Sequence, residues 1–421
     1  MSSPTPTPAF TNPFRPGAGH TPPYLAGREQ ERAEFVRLLQ QRTILENMVL
    51  TGLRGVGKTV LLESFKPIAM HENWLWVGTD LSESTSISEE NIAIRLFTDL
   101  SVVTSGMIIG RASQRAVGFE ERVDDVERRL DFAAFVSLYQ QTPGLVADKL
   151  KAVLETTWAY LQQQQPPSAT GVRGIIFAYD EAQTLSDQVA KEQFPLSLLL
   201  DVFQSIQRKG IPFMLVLTGL PTLFPKLVEA RTFAERMFRV VFLDKLTDGE
   251  SRDAITKPIE DAHCPVRLGD TSVETIVLTS GGYPYFIQFV CREVYDVFLQ
   301  RLSDGQEPIV PVVEIERKLD TDFFAGRWAR VTDRQRELLG VISHLDDMDS
   351  EFTVQEIVEK SQQELAKPFS NSHVSQILSA LTEHGLVYKN RHGKYSFAVP
   401  LLGRFIRRQR IPFKGATLLD L

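Results

Sequence analysis

Apolar positions along the chain fall into two kinds of segment that alternate. Short unbroken runs read as strands buried on both faces. These are "NMVLTG" (47–52), "NWLWVGTDL" (73–81), "VRGIIFAYDE" (172–181), "PFMLVLTG" (212–219) and "RVVFL" (239–243). Between them lie segments with helical spacing. Val60, Leu61, Leu62 and Phe65 follow the first run, and "PLSLLLDVFQSIQR" (195–208) precedes the fourth. A helix is also predicted from about Glu29 to Gln40. Residues from Ser86 to about Gln165 read as mostly helical, with one glycine-containing loop around Ser105 to Phe119. "TLFPKLVEARTFAERMF" (222–238) reads as helical with an interruption at Pro225. Strands alternating with helices, each strand apolar on both faces, predict an α/β fold with a parallel sheet covered on both sides.

After about Asp244 the strand pattern stops. Residues 247–303 read as several helices, with "GGYPYF" (281–286) between two of them. From about Arg330 a helix (Asp333 to Ser343), "TVQEIVEKS", "SNSHVSQILSALTEHG" and a hairpin-like "LVYKNRHGKYSFAV" follow in order. Helices ahead of a basic-tipped hairpin predict a winged helix-turn-helix. The first 15 residues, rich in Pro, Ser and Thr, read as a flexible arm.

Composition narrows the function classes. The 421 residues are 43% apolar and 24% charged, as in an ordinary globular protein of two or three domains. A net charge of −7 is not that of a general polyanion binder, so any nucleic-acid contact has to come from a local basic patch. The two cysteines, Cys264 and Cys291, have no CxxC spacing, which argues against a zinc module or disulfide framework and fits a reducing compartment. The N-terminus has neither a basic nor an apolar signal region, and no apolar run approaches the roughly 20 residues of a membrane span. The expected location is cytoplasmic.

The chemistry begins in "LTGLRGVGKTVLLESF" (50–65). Gly52, four residues, then Gly57, Lys58 and Thr59 match G-x-x-x-x-G-K-[ST], between a strand and a helix as that motif requires. Glycines let successive N–H groups turn inward on phosphate oxygens, and the helix points its positive end at the same anion. Gly52, Leu53, Arg54, Gly55, Val56, Gly57, Lys58, Thr59 and Val60 are therefore expected to bind the phosphates of ATP or ADP. Lys58 would reach the β- and γ-phosphates and Thr59 would bind Mg²⁺. Asp180, at the end of an apolar strand, is the second candidate metal residue. Glu181 beside it is the candidate for polarising an attacking water, with Gln183 as a weaker assistant. Thr218 ends the next strand and is expected either to touch the γ-phosphate or water, or to cap a turn. Arg231, Arg236 and Arg239 precede the last strand. They read either as a solvated helix face or as a source of an arginine finger, with Arg236 the choice among them.

"YLAGREQE", "GLRGVGKT", "FAYDEAQ", "LTGLP" and "SGGYPYF", in this order, resemble the AAA+-like ATPases of the origin-recognition and STAND type. More narrowly, they resemble bacterial ATP-binding proteins with an Orc-like ATPase domain, whose "NPFRPGAG" and "DFFAGRWARVTDRQRELL" pieces are also present. The resemblance implies that Tyr24, Leu25, Gly27 and Arg28 lie near the base. It also implies that Gly282, Tyr283 and Pro284 form a lid turn touching the nucleotide. Many such ATPases carry a lid arginine near this turn. Pro284 stands here, which favours a slow nucleotide-controlled switch over fast hydrolysis.

The expected organisation is an arm (1–15), a P-loop ATPase core (16–245), a helical lid (246–327), and a winged helix with a basic tail (328–421). Asn371, His373, Ser375 and Gln376 lie on the helix that would read DNA, which has no Arg or Lys. The hairpin and tail supply Lys389, Arg391, Lys394, Arg404, Arg407, Arg408, Arg410 and Lys414, interleaved with Tyr388, Tyr395 and Phe405. Two readings follow. The patch holds duplex DNA phosphates, or the winged helix packs on the rest of the chain and acts as a regulatory element for a protein partner or a homo-oligomer.

Overall fold

The structure is a computed structural model. It describes residues 12–17, 19–115, 123–163, 171–264, 267–306, 309–346, 351–391 and 393–409. Arg410 and Lys414 of the predicted basic tail and residues 116–119 of the expected loop lie outside the described residues, as does the side chain of Arg391. The chain divides into two compact units. One comprises Glu29–Thr51 and Leu61–Phe242. The other comprises Met1–Arg28, Gly52–Val60 and Leu243–Leu421.

The first unit is built on the predicted sheet. Its strands are β1 (Asn47–Gly52), β2 (Trp74–Val77), β3 (Ile108–Arg115), β4 (Val123–Arg129), β5 (Gly174–Tyr179), β6 (Phe213–Gly219) and β7 (Phe238–Leu243). Five of them form one sheet in the order β2-β5-β6-β1-β7. The pairs β2–β5, β5–β6 and β6–β1 are parallel. Every residue of β1, β5 and β6 is buried, which is why these strands read as unbroken apolar runs. The outer strands differ from the expectation of two apolar faces. β7 is exposed at Arg239 and Phe242, because a strand at the sheet margin is covered less completely. Phe177 sits at the centre of the core, with ring centroids 5.0 Å from Phe203 and 5.6 Å from Phe213.

A buried amide pair fixes the start of β1. Asn47 Oδ1 accepts from Leu215 N–H (2.8 Å) and from Gln207 Nε2 (2.8 Å), and its Nδ2 donates to Met237 O (3.2 Å). The bonds bind the start of β1 to β6 and to the residue before β7.

Two local expectations are corrected. The region expected as a loop around Ser105 to Phe119 holds strand β3, paired antiparallel with β4 in its own two-stranded sheet. Its sequences, "IIGRASQR" and "VDDVERR", lack the apolar face that marks a core strand. Pro225 does not interrupt its helix. It is the third residue of Leu223–Ala230, where a backbone N–H has no intrahelical acceptor to lose. The break comes instead between Ala230 and the short helix Ala234–Met237.

The second unit contains the helices Asp248–Asp261, Asp270–Ser280 and Pro284–Ser303. Val312–Leu319 follows, and then a wide turn through Asp320–Phe324. Beyond it come Asp333–Ser343, Val354–Glu364, Asn371–Glu383 and Leu402–Arg408, with strands β8 (Phe352–Thr353), β9 (Val387–Arg391) and β10 (Lys394–Phe397). The three strands form an antiparallel sheet in the order β8-β10-β9. Helices Asp248–Asp261, Asp333–Ser343 and Val354–Glu364 begin at reciprocal capping boxes, Thr247 with Glu250, Thr332 with Gln335 and Thr353 with Glu356. One continuous hydrophobic core joins Ile255, Phe286, Phe324, Leu338, Val374 and Phe405, so the lid helices and the C-terminal elements are packed as one body.

Residues 12–15, expected in the flexible arm, are anchored to the helix Pro284–Ser303. Phe14 is buried beside Tyr295, Asn12 Nδ2 donates to Arg292 O (3.0 Å), and Arg15 N–H donates to Gln288 Oε1 (3.2 Å). Among the described residues no helix is long and apolar enough to cross a membrane.

Candidate functional site

The site residues fall in two groups, one in each unit. The glycine loop is the first. Gly52 tolerates no side chain, since a Cβ there would stand 2.4 Å from Leu243 O. Gly55 (φ +80°) and Gly57 (φ +90°) adopt left-handed backbone that side-chain-bearing residues avoid. A Cβ at Gly57 would meet nothing within 4 Å, so conformation and not crowding calls for glycine there. The space it leaves is a cradle beside the backbone.

The helix Lys58–His71 starts inside the motif, so its first N–H groups have no partner within the helix. Lys58 is buried, with Nζ donating to Gly52 O (3.0 Å) and Leu53 O (2.8 Å). Its ammonium is thereby held over the loop backbone. Val56 is buried, and Thr59 and Val60 are half-buried. These features suit a polyphosphate. They combine a glycine-built cradle, an ammonium folded into it and a helix N-terminus.

The segment before the first helix reaches this loop. Arg28 is buried, and its guanidinium donates to Val56 O (3.0 Å) and Asp244 O (2.8 Å). The resemblance implied a place near the base. In the structure its guanidinium braces the loop's own carbonyl. Tyr24 is drawn to the lid: its hydroxyl lies 2.8 Å from Lys257 Nζ, which sits 4.5 Å above its ring. Gly27 has φ +62°, and the Glu250 side chain lies where a Cβ would be. Leu25 is half-buried.

The lid turn also reaches the loop. Gly281 and Gly282 are left-handed, Gly282 O accepts from Leu246 N–H (2.8 Å), and Tyr283 is half-buried. Pro284 opens the next helix at its first position, where a missing N–H costs nothing. Tyr285 N–H then donates to Gly55 O (3.1 Å). The structure thus brings the loop together with Arg28 and with the lid turn.

The strand-end group lies in the first unit. Asp180 is buried beyond β5. Its N–H bonds to Thr79 O (3.2 Å), its O accepts from Leu81 N–H (2.9 Å), and its Oδ1 accepts from Glu181 N–H (2.7 Å). Glu181 is exposed and left-handed at φ +51°, a conformation that costs a non-glycine residue roughly 1–2 kcal/mol. Its carboxylate accepts from Gln183 Nε2. Gln183 is in turn fixed by Leu220 N–H on its Oε1 (3.0 Å) and by Lys226 Nζ on its backbone O (2.7 Å). A Cβ at Gly219 would come 2.5 Å from Gln183 Oε1, so that glycine makes room for the clamp. Burial lowers the pKa of Lys226. Sequence reasoning missed Lys226, which nothing but its place one turn after "LTGLP" could have flagged.

Thr218 is fully buried and its hydroxyl has no partner among the described residues. The register Tyr179↔Leu217 makes Asp180 and Thr218 the next residues on their two strands, on one face of the sheet. Thr51, at the end of β1, has a second buried hydroxyl without a partner among the described residues. Both positions leave donor capacity unmet, at a cost of about 1–3 kcal/mol each.

The three arginines differ: Arg231 and Arg236 precede β7, and Arg239 lies within it. Arg231 pairs with Asp201 (2.7 Å) and Ser197, and Arg239 pairs with Glu34 (3.3 Å). Arg236 is exposed and makes no ion pair among the described residues.

The basic tail is largely occupied within its own unit. Arg404 Nη1 donates to Leu278 O (2.6 Å), Arg407 Nε donates to Ser343 O (2.5 Å), and Arg408 pairs with Asp320 and with Glu316 (3.4 Å). Phe405 stacks on Phe324 at 5.0 Å. Lys389 is exposed and Lys394 half-exposed, as are the predicted reading residues Asn371, Ser375 and Gln376. His373 packs against Phe369.

A family described as a domain of unknown function, DUF8462, matches residues 321–406. No curated protein matches the chain. Among solved structures, a Walker-type ATPase of Pyrococcus abyssi aligns at 16% identity over 91% of this chain and 96% of its own, with a TM-score of 0.54. The ORC2 protein of Aeropyrum pernix in its ADP form aligns at 16% identity over 92% and 94%, with a TM-score of 0.50. Over nearly its whole length the chain therefore has the α/β fold of the Walker-type and origin-recognition ATPases, as the sequence motifs implied.

Proposed function

We propose that this protein binds ATP with Mg²⁺, hydrolyses it slowly, and uses the bound nucleotide to switch its conformation. The observation that supports this most is the loop, with left-handed Gly55 and Gly57, open space over Gly57 and Lys58 folded onto the backbone. Residues 52–60 take the phosphates, and Tyr24, Leu25 and Gly27 take the base side. Thr59 and Asp180 supply the hydroxyl and carboxylate oxygens that a hard cation prefers. Magnesium, when bound, neutralises charge on the phosphate oxygens. Glu181 orients the attacking water, held in aim by Gln183. Thr218 offers its hydroxyl to the water or the terminal phosphate. The lid turn presents Pro284 instead of an arginine, and this favours slow turnover. Arg236 is the residue that would act on a neighbouring copy.

ATP titration of the wild type and of Lys58→Ala tests the reading. Affinity should fall about a hundredfold or more, since a buried charge-assisted contact is worth up to ~3 kcal/mol. Equal affinity in the two proteins would remove the loop from the site.

For the output, the observed contacts favour the regulatory reading over DNA binding. We propose that residues 328–421 form a winged helix that restrains the lid. Arg404 and Arg408 hold that packing, through Leu278 O and through Asp320 and Glu316. Among the described side chains of the patch, a DNA role would then rest on Lys389 and Lys394. Duplex retention at low salt, lost on changing both lysines to Glu, would overturn the regulatory reading.

A further inference from the structure

We propose that Lys226 is a positioning residue for the attacking water: it fixes the turn that carries Glu181 and ties that turn to the end of β6. This rests on the reading of Glu181 as the group that orients water.

Glu181 needs such a hold. It is exposed and left-handed at φ +51°, and it opens the short turn Ala182–Thr184. The turn meets only part of its own bonding needs. Thr184 N–H donates to Glu181 O (2.9 Å), and Leu185 N–H donates to Ala182 O (3.1 Å). The next two carbonyls are met from outside. Thr184 O accepts from the buried Ser86 hydroxyl (2.7 Å), and Gln183 O accepts from Lys226 Nζ (2.7 Å). Lys226 is half-buried and makes no ion pair among the described residues. Burial lowers its pKa, against a smaller opposing pull from Glu229. An ammonium drawn out of water onto one neutral carbonyl suits a residue whose task is to fix that carbonyl.

The contact also joins two strand ends. Lys226 lies in Leu223–Ala230, the helix that follows β6, so its bond runs from the Thr218 side to the Glu181 side. Leu220 N–H, just beyond Thr218, donates to Gln183 Oε1 (3.0 Å). That N–H can only donate, so it sets the amide with its oxygen toward Leu220 and its NH₂ toward Glu181. Gln183 Nε2 then donates to Glu181 Oε2, and Glu181 Oε1 makes no hydrogen bond among the described residues. One carboxylate oxygen is held and the other is open to a water. Without the Lys226 bond the amide keeps its orientation, but the backbone beneath it loses its outside hold. The strained φ at Glu181 then relaxes and carries the carboxylate off its line.

The test is single-turnover ATP hydrolysis and ATP titration of the full chain. It compares the wild type with Lys226→Met, Lys226→Arg, Glu181→Gln and the double variant Glu181→Gln/Lys226→Met. Lys226→Met should lower the rate about tenfold to a hundredfold, as a displacement of about 1 Å at a reacting group does, with ATP affinity held within about twofold. Lys226→Arg should recover part of the rate, because a guanidinium can reach the same carbonyl. In the Glu181→Gln background, Lys226→Met should change the residual rate by less than about twofold, since no carboxylate is left to aim. Where Lys226→Met does not fold, Lys226→Gln goes through the same comparison. An unchanged rate, an equal loss of rate and affinity, or the same loss in both backgrounds overturns the positioning role and leaves the nucleotide site standing. A wild type that binds ATP and whose turnover survives Glu181→Gln overturns the Glu181 reading, and Lys226 with it. A wild type that binds no ATP removes the site as a whole.

Discussion

The loop and the strand ends carry the two halves of the candidate chemistry, and they are built in opposite ways. Around the loop, polar groups are satisfied. Lys58 bonds to Gly52 O and Leu53 O, Arg28 bonds to Val56 O and Asp244 O, and Gly55 O is met by Tyr285 N–H. At the strand ends the structure tolerates cost. Glu181 is left-handed, and the Thr218 and Thr51 hydroxyls are buried without partners among the described residues. A cradle for a highly charged ligand has to be rigid before the ligand arrives. Groups that act on a reacting atom have to keep bonding capacity in reserve. The contrast is one of binding against chemistry, and three substitutions can break or sharpen it.

The largest effect is expected from Glu181→Gln. Turnover should fall by about 10²–10⁴-fold, the usual worth of a positioned general base, while ATP affinity holds. Single-turnover hydrolysis measured beside an ATP titration checks it, and unchanged turnover would remove Glu181 from the chemistry. Arg28→Met should come next. It leaves two carbonyls short of a charged donor and should destabilise the fold by about 2–3 kcal/mol, with ATP and ADP weakened alike. Denaturant unfolding and the two titrations would show it, and a loss confined to one nucleotide would speak for a direct contact with the ligand. The smallest effect is that of Thr218→Val. An orphaned buried hydroxyl is replaced by a methyl group of the same shape, so stability should rise by about 1 kcal/mol while turnover falls. Lower stability in thermal melts would mean that the hydroxyl has a partner in the folded protein.

The strength of the β1, β5 and β6 readings came from burial. A strand covered on both faces has no polar register, so its sequence shows a bare apolar run. The glycine loop was equally plain, because a left-handed backbone and a close-lying ligand both exclude side chains. The β3–β4 hairpin was missed because it pairs with itself and shows no apolar face in its sequence. Gln183 was legible only as a polar residue near two acids. Its role as a clamp depends on Leu220 and Lys226, which lie 37 and 43 residues further along.

The sequence alone determined the alternation of core strands and helices, the glycine loop between the first strand and its helix, and the Asp180–Glu181 pair at a strand end. Each of these is written in residues within a turn or two of one another. Tertiary structure alone decided what the arginines do. Arg28 became a brace on Val56 O, Arg231 and Arg239 found acids, Arg404 and Arg408 joined the tail to Leu278, Asp320 and Glu316, and Arg407 closed on Ser343 within the C-terminal region. A long cationic side chain has the same local signature whether it meets a carbonyl or a carboxylate. Only the folded chain sets which of these lies within its reach.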